Sequence, residues 1–168
     1  MEAATAAAPD VREIVVFVLA GQRYALPIEA VQEIQQIVAM SAVPGVTPGL
    51  VGMLNLRGEI VPVVDARLLL GMETAEYTLE TPMVIAHAGS SLVALLVDEV
   101  EDVVTPPPGC MQAPGEVYEL ADRLLGVCRL EEGFVFLLDP ARLIQTAVRT
   151  EPAEPAPSKR KRSRKKAT

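Results

Sequence analysis

What most constrains this chain is the grouping of its aliphatic residues into runs of strand length, separated by glycine or charged turns. IVVFVLA (14–20) and QRYALPI (22–28) flank Gly21, which can supply the positive φ of a tight hairpin. Tyr24, Leu26 and Ile28 alternate onto one face of the second run. VGMLN (51–55) and EIVPVVD (59–65) are separated by Leu56-Arg57-Gly58. PMVIAHA and SLVALLVD meet across Ala88-Gly89-Ser90, and LLGVCRL and FVFLLD across Glu131-Glu132-Gly133. Pro62 lacks a backbone donor, so its run is expected at a sheet edge or a bulge. Short strands with glycine turns predict small barrels or a sandwich with few short helices.

Three places read as helical. Ile28, Val31, Ile34 and Val38 share one helical face, with Pro27 and Glu29 suited to a first turn. Asp139-Pro140 reads as the N-cap and first residue of a short helix through Ile144, and Asp65 starts a similar turn ended by Gly71. The stretch from Ala25 to Ile34 resembles that from Ala94 to Val103 at an offset of 69, and the stretch from Val64 to Leu69 resembles that from Leu138 to Ile144 at an offset of 74. Either aliphatic strands look alike by chance, or the body is two related halves that meet near 73–81 with a groove at their seam.

Charge divides the chain differently. Through Thr150 there are 20 acids against 8 bases, a net of −12; from Glu151 onward there are 7 bases and 2 acids, a net of +5. The last stretch, PAEPAPSKRKRSRKKAT, has too little apolar surface to offset the entropy of ordering, so residues 149–168 are expected to be a disordered basic tail. Residues 1–10 are expected to be flexible, leaving 11–148 as the folded body. The opening residues carry an acid where a secretory leader needs positive charge, and the longest apolar runs fall far short of the roughly 20 residues that span a bilayer. A soluble, cytoplasmic protein is expected.

The residues offer little for catalysis. One histidine and two cysteines cannot make a His/Cys zinc site, and Cys110 and Cys128 are expected to be free and buried. His87, at a strand end, would have to serve any triad with Ser41, Ser90 or Ser91, none of which lies in a nucleophile-elbow setting. No phosphate-binding glycine loop occurs. Asp98, Glu99, Glu101 and Asp102 form the densest acidic cluster, without the loop spacing of a calcium site. Three Phe, three Tyr and no Trp argue against stacking of bases on aromatic platforms. No enzyme activity, cofactor or metal is expected, which leaves a binding module.

Asn55-Leu56-Arg57-Gly58-Glu59-Ile60-Val61-Pro62-Val63-Val64-Asp65 closely resembles the hallmark segment of the CheW-like domain family. Tyr24-Ala25-Leu26-Pro27-Ile28 leading into Val31-Gln32-Glu33-Ile34, then Pro44-Gly45 and Gly52, match its flanking arrangement. Leu95-Leu96-Val97-Asp98-Glu99-Val100 and Phe136-Leu137-Leu138-Asp139 match its later strands. The resemblance implies two five-stranded, SH3-like β-barrels sharing a hydrophobic core. It also implies a non-catalytic adaptor that couples the cytoplasmic tips of methyl-accepting chemoreceptors to the histidine kinase CheA, at chemoreceptor clusters. Too few residues remain for a receiver or kinase domain, so a stand-alone adaptor is expected.

Carried over residue by residue, the resemblance implies a receptor groove at Val31, Glu33, Ile34, Gly52, Leu92, Val93 and Ala94. Val31 and Ile34 could equally be core residues. Asn55, Arg57 and Gly58 are motif residues; Arg57 either holds the first barrel together through carbonyls or a nearby carboxylate, or touches a partner. Ile37, Val38, Val43 and Ile60 form the expected kinase-facing patch. An alternative rests on the tail: Lys159, Arg160, Lys161, Arg162, Arg164, Lys165 and Lys166 could bind DNA or another polyanion and make the chain a nucleic-acid-associated docking module, or meet an anionic membrane surface, an acidic partner or the body's own acidic surface.

Overall fold

The computed structural model describes residues 11–37, 41–42, 49–73, 76–115 and 121–149. Val38, Val43, residues 1–10 and the basic residues 159–166 lie outside them. The strands in chain order are β1 (Ile14–Leu19), β2 (Gln22–Pro27), β3 (Val31–Gln36), β4 (Ser41–Ala42), β5 (Leu50–Leu56) and β6 (Glu59–Asp65), followed by helix α1 (Ala66–Leu69). Then come β7 (Pro82–Ala88), β8 (Ser91–Leu96), β9 (Glu99–Val104), β10 (Met111–Gln112), β11 (Leu124–Leu130) and β12 (Gly133–Leu138), followed by helix α2 (Pro140–Arg149). The fold is mainly β, in two subdomains. The first sheet has the order β4-β5-β6-β8-β7-β3, and the second β10-β11-β12-β2-β1-β9. Each is thus a five-stranded ladder extended by a two-residue strand, and among the described residues neither closes into a complete barrel.

The two orders are the same pattern. Each half of the sequence supplies six strands and a closing helix, but the halves exchange their first hairpins. Hairpin β1–β2 enters the sheet of the second half by parallel pairing of β2 with β12, and β7–β8 enters the sheet of the first half by parallel pairing of β8 with β6. The offsets of 69 and 74 hold to the residue. The pair Leu137–Ala25 in one sheet corresponds to Val63–Ala94 in the other. The register shift between Leu50 and Gly52 recurs between Leu124 and Gly126. The bulge between Val31 and Glu33 recurs between Val100 and Asp102, opposite Val16 and Phe17. The internal repeat is therefore structural. The segment 73–81 separates the halves of the sequence but not the sheets, because β6 and β7 belong to one sheet.

The helix expected from Ile28 is instead a single 3-10 turn (Ile28–Ala30) running into β3. Pairing of β3 with β7 outweighs the helical spacing of Val31 and Ile34, and the bulge at Gln32 breaks the strict alternation that would have marked a strand. Pro62 lies inside the sheet rather than on an edge strand. It is accommodated because β8 pairs with β6 only from Val63 onward, leaving Pro62 paired to β5 alone. The Asp-initiated turns are as expected: Asp65 Oδ1 accepts from Arg67 N at 2.8 Å and Asp139 Oδ1 from Ala141 N at 3.1 Å.

Exchange explains the long apolar runs, since the inner strands are covered on both faces. Leu92, Ala94 and Leu96 face the interior of the first sheet with Val61, Val63, Met83 and Ile85. Their neighbours Val93 and Leu95 face a core shared by both sheets, with Phe17, Tyr24, Leu26, Val64 and Leu138. A third cluster, including Ile14, Ala25, Cys128 and Leu137, fills the second sheet. Each fully buried Leu or Ile contributes about 1.5–3 kcal/mol. Cys128 is buried and Cys110 half-buried, both free; burial, then the neighbouring Cys110, pushes the Cys128 thiol up to about 12, so it stays protonated at neutral pH.

Asp98, where the chain crosses from the first sheet to the second, ties the exchanged parts together. Its carboxylate accepts from Ala20 N at 2.8 Å in the β1–β2 turn and from Arg67 Nε at 2.8 Å on α1, with a second bond from Arg67 Nη2. Partial burial opposes ionisation, but the bonds from Arg67 and Ala20 outweigh it and hold the carboxyl below the usual range.

Two outcomes follow from these contacts. A Cβ on Gly126 would lie 2.8 Å from the Gln112 carbonyl oxygen and 3.1 Å from Met111 Sδ; Gly126→Ala should cost about 1–3 kcal/mol, read as a lowered Tm. Because the Asp98 pKa is depressed in the folded state, its stabilisation is present above about pH 4 and lost as pH falls through the folded value. Asp98→Asn should cost about 1–2 kcal/mol at neutral pH and flatten that part of the acid limb of a Tm-versus-pH curve.

Candidate docking site at the sheet ends

The Asn-Leu-Arg-Gly segment builds the tip of the first sheet. Arg57 (φ 52°) and Gly58 (φ 90°) both take left-handed backbone, the pattern of a two-residue hairpin turn matched to strand twist. Asn55 Oδ1 accepts from Gly58 N at 2.8 Å and latches the turn. Gly58 supplies positive φ without strain, whereas Arg57 adopts it against its side-chain preference. The turn aims the Arg57 guanidinium at β3. There Nη1 donates to Glu33 Oε2 at 2.7 Å and Nη2 to Glu33 Oε1 at 3.1 Å, a two-pronged pair that bridges the β5–β6 turn to the outermost strand β3. Hydrogen bonding to Arg57 holds the Glu33 carboxyl below the usual range and raises the guanidinium. The Arg57 guanidinium thus bonds a nearby carboxylate while its side chain stays 68% exposed.

Two large apolar side chains stand open beside this pair: Ile60 is 60% exposed and Ile34 43%. Isolated exposed aliphatics are ordinary, but these two have repeat partners. Adding 74 to Ile60 gives Phe134, 53% exposed, and adding 69 to Ile34 gives Val103, 46% exposed. The second end also has an ionic bridge from hairpin tip to outer strand. Arg23 Nε lies 2.7 Å from Glu101 Oε1, and Arg23 Nη1 lies 3.0 Å from Glu132 Oε1. The molecule therefore presents two equivalent ends, each with an ion-paired tip and two open hydrophobes. The sequence put Ile34 in the expected receptor groove and Ile60 in the expected kinase-facing patch, and did not single out Val103 and Phe134, which the two offsets applied to the first pair pick out.

Most of the rest of the expected groove is closed off from the surface. Leu92, Val93 and Ala94 are 7%, 1% and 0% exposed, because β8 is an inner strand covered on both faces. Gly52 is buried at the bulge opposite Ala42. Val31 is half-buried against the shared core, and Ile37, from the expected kinase-facing patch, is half-buried against the first-sheet interior. The seam between the sheets is filled by the shared core. At its margin lies a cavity of about 270 Å³ lined by Asp65, Arg67, Tyr77, Thr78, Leu96 and Asp98, where the buried Asp65 accepts from the Tyr77 hydroxyl. Among the described residues no group of three or more His, Cys, Asp or Glu side chains is placed to hold a metal ion, and no helix is long and apolar enough to cross a membrane.

Comparison with known proteins places this architecture. The family model described as the CheW-like domain matches residues 13–148. The chain is 31% identical over 130 residues to the chemotaxis protein CheW of Rhizobium meliloti (strain 1021), covering 76% of this chain and 84% of that protein. It is 37% identical over 93 residues to the chemotaxis protein CheW of Bacillus subtilis (strain 168), covering 55% and 60% respectively. The crystal structure of the scaffolding protein TtCheW from Thermoanaerobacter tengcongensis superposes with a TM-score of 0.74 at 25% identity, covering 79% of this chain and 92% of that one. With the family model matched over residues 13–148 and the fold shared with a solved CheW structure, the chain belongs to the CheW-like domain family.

Proposed function

We propose that this protein is a non-catalytic scaffold that couples methyl-accepting chemoreceptors to the histidine kinase CheA, working at chemoreceptor clusters in the cytoplasm. The observation that carries the reading is the family match over nearly the whole folded body, joined to two exposed apolar pairs at repeat-related positions of the two sheets. A body with two such ends can hold two partners at a fixed spacing, and the shared core transmits that spacing rigidly. The kinase-facing role falls on Ile60 and Ile34 with Arg57 and Glu33 at the first end, and on Phe134 and Val103 at the second. Leu92, Val93 and Ala94 support this function by packing and not by touching a receptor. The basic residues 159–166 lie outside the family match, so the nucleic-acid reading has only their charge behind it.

Reconstitution tests the reading. Mixed with receptor-tip fragments and the kinase, the protein should make autophosphorylation receptor-dependent; kinase activity indifferent to its presence would refute the proposal. Ile60→Glu should weaken binding of the kinase regulatory domain about tenfold or more, as for a hydrophobe central to an interface, with Tm unchanged. Equal binding by wild type and variant would remove Ile60 from the contact.

A further inference from the structure

We propose that the basic segment 159–166 docks on the second end of its own chain, along the outer side of β9 and over the β11–β12 turn. The two ends derive from one repeat, yet they differ in charge. In the first, β3 reads VQEIQQ and its single acid, Glu33, is held by Arg57. In the second, β9 reads EVEDVV, and Glu131-Glu132 occupy the turn where Arg57-Gly58 stand in the first. Arg23 answers Glu101 and Glu132, and Arg129 sits opposite Phe134 in register. Among the described residues, Glu99, Asp102 and Glu131 form no ion pair. β9 pairs with β1 alone, so its other edge carries no strand among the described residues. Such an edge needs a charged or covering neighbour to stay clear of unwanted pairing.

The occupant is argued from charge and reach. Residues 159–166 carry seven cations in eight positions, against a net of −12 through Thr150. Helix α2 ends at Arg149, and the nine residues 150–158 can extend to about 30 Å, roughly the width of a small domain. Tethering on that scale gives an effective concentration in the millimolar range, enough for multiple weak ion pairs to act together.

All four lysines of the chain, Lys159, Lys161, Lys165 and Lys166, lie in this segment, which makes the proposal directly readable. Carbodiimide coupling of the full chain at low salt joins a lysine amine to a touching carboxylate. Peptide mapping of the monomer should find links from these lysines to Glu99, Asp102 and Glu131. The links should fall several-fold at about 0.5 M salt, where the Debye length is only a few ångströms. In the Glu99→Gln/Asp102→Asn/Glu131→Gln variant, whose melting temperature should match wild type, the total of lysine links within the monomer should fall several-fold instead of moving to the remaining carboxylates. Links scattered over other carboxylates, links found only between molecules, or links that persist in the triple variant would overturn the proposal. So would an absence of links together with retention on duplex DNA that requires residues 159–166, which would assign the segment to nucleic acid.

Discussion

The rest of the structure depends on two parallel strand pairings, β6 with β8 and β12 with β2, through which each half of the chain receives a hairpin from the other. Neither sheet is complete without them, and neither closing helix has a full surface to cover. The exchange turns what could have been two linked modules into one body with three connected apolar clusters. Asp98 sits where the second exchange is made, and its bonds to Ala20 and Arg67 reach the two elements that the crossover has to keep together.

That interlocking suits a scaffold. A protein whose task is to hold partners in register gains from a body that does not hinge, and inner strands buried on both faces leave little freedom for the sheets to slide. The surface specialises instead. From equivalent backbone positions the first end presents Ile34, Ile60 and the Arg57–Glu33 pair, and the second presents Val103, Phe134 and an excess of carboxylates. One backbone solution is used twice while the side chains make the ends chemically distinct, as a scaffold needs if each end is to choose a different neighbour.

Hairpins and helix starts were legible in the sequence because they are local: Gly21 and Arg57-Gly58 mark turns, and Asp65 and Asp139 mark caps within a few residues. The repeat was legible as two offsets, but not the exchange, since strand alternation does not say which distant strand is the neighbour. β3 was misread for a related reason. Its bulge at Gln32 breaks the period of two, leaving Val31 and Ile34 at a spacing that fits a helix. Burial sorts the expected site residues into open and closed positions. Ile34, Ile60, Arg57 and Glu33 lie on an outer strand or at a hairpin tip. Leu92, Val93 and Ala94 belong to a strand whose uninterrupted apolar run already signalled cover on both faces.

The central claim is that partners are held at the two ends of one rigid body. Hydrogen–deuterium exchange on the protein, alone and with the CheA regulatory domain, tests it most directly. The account predicts new protection confined to β3, β9 and the tips of the β5–β6 and β11–β12 hairpins, with β7 and β8 equally slow in both states. Protection concentrated around the Asp65 cavity, or none at either end, would contradict it.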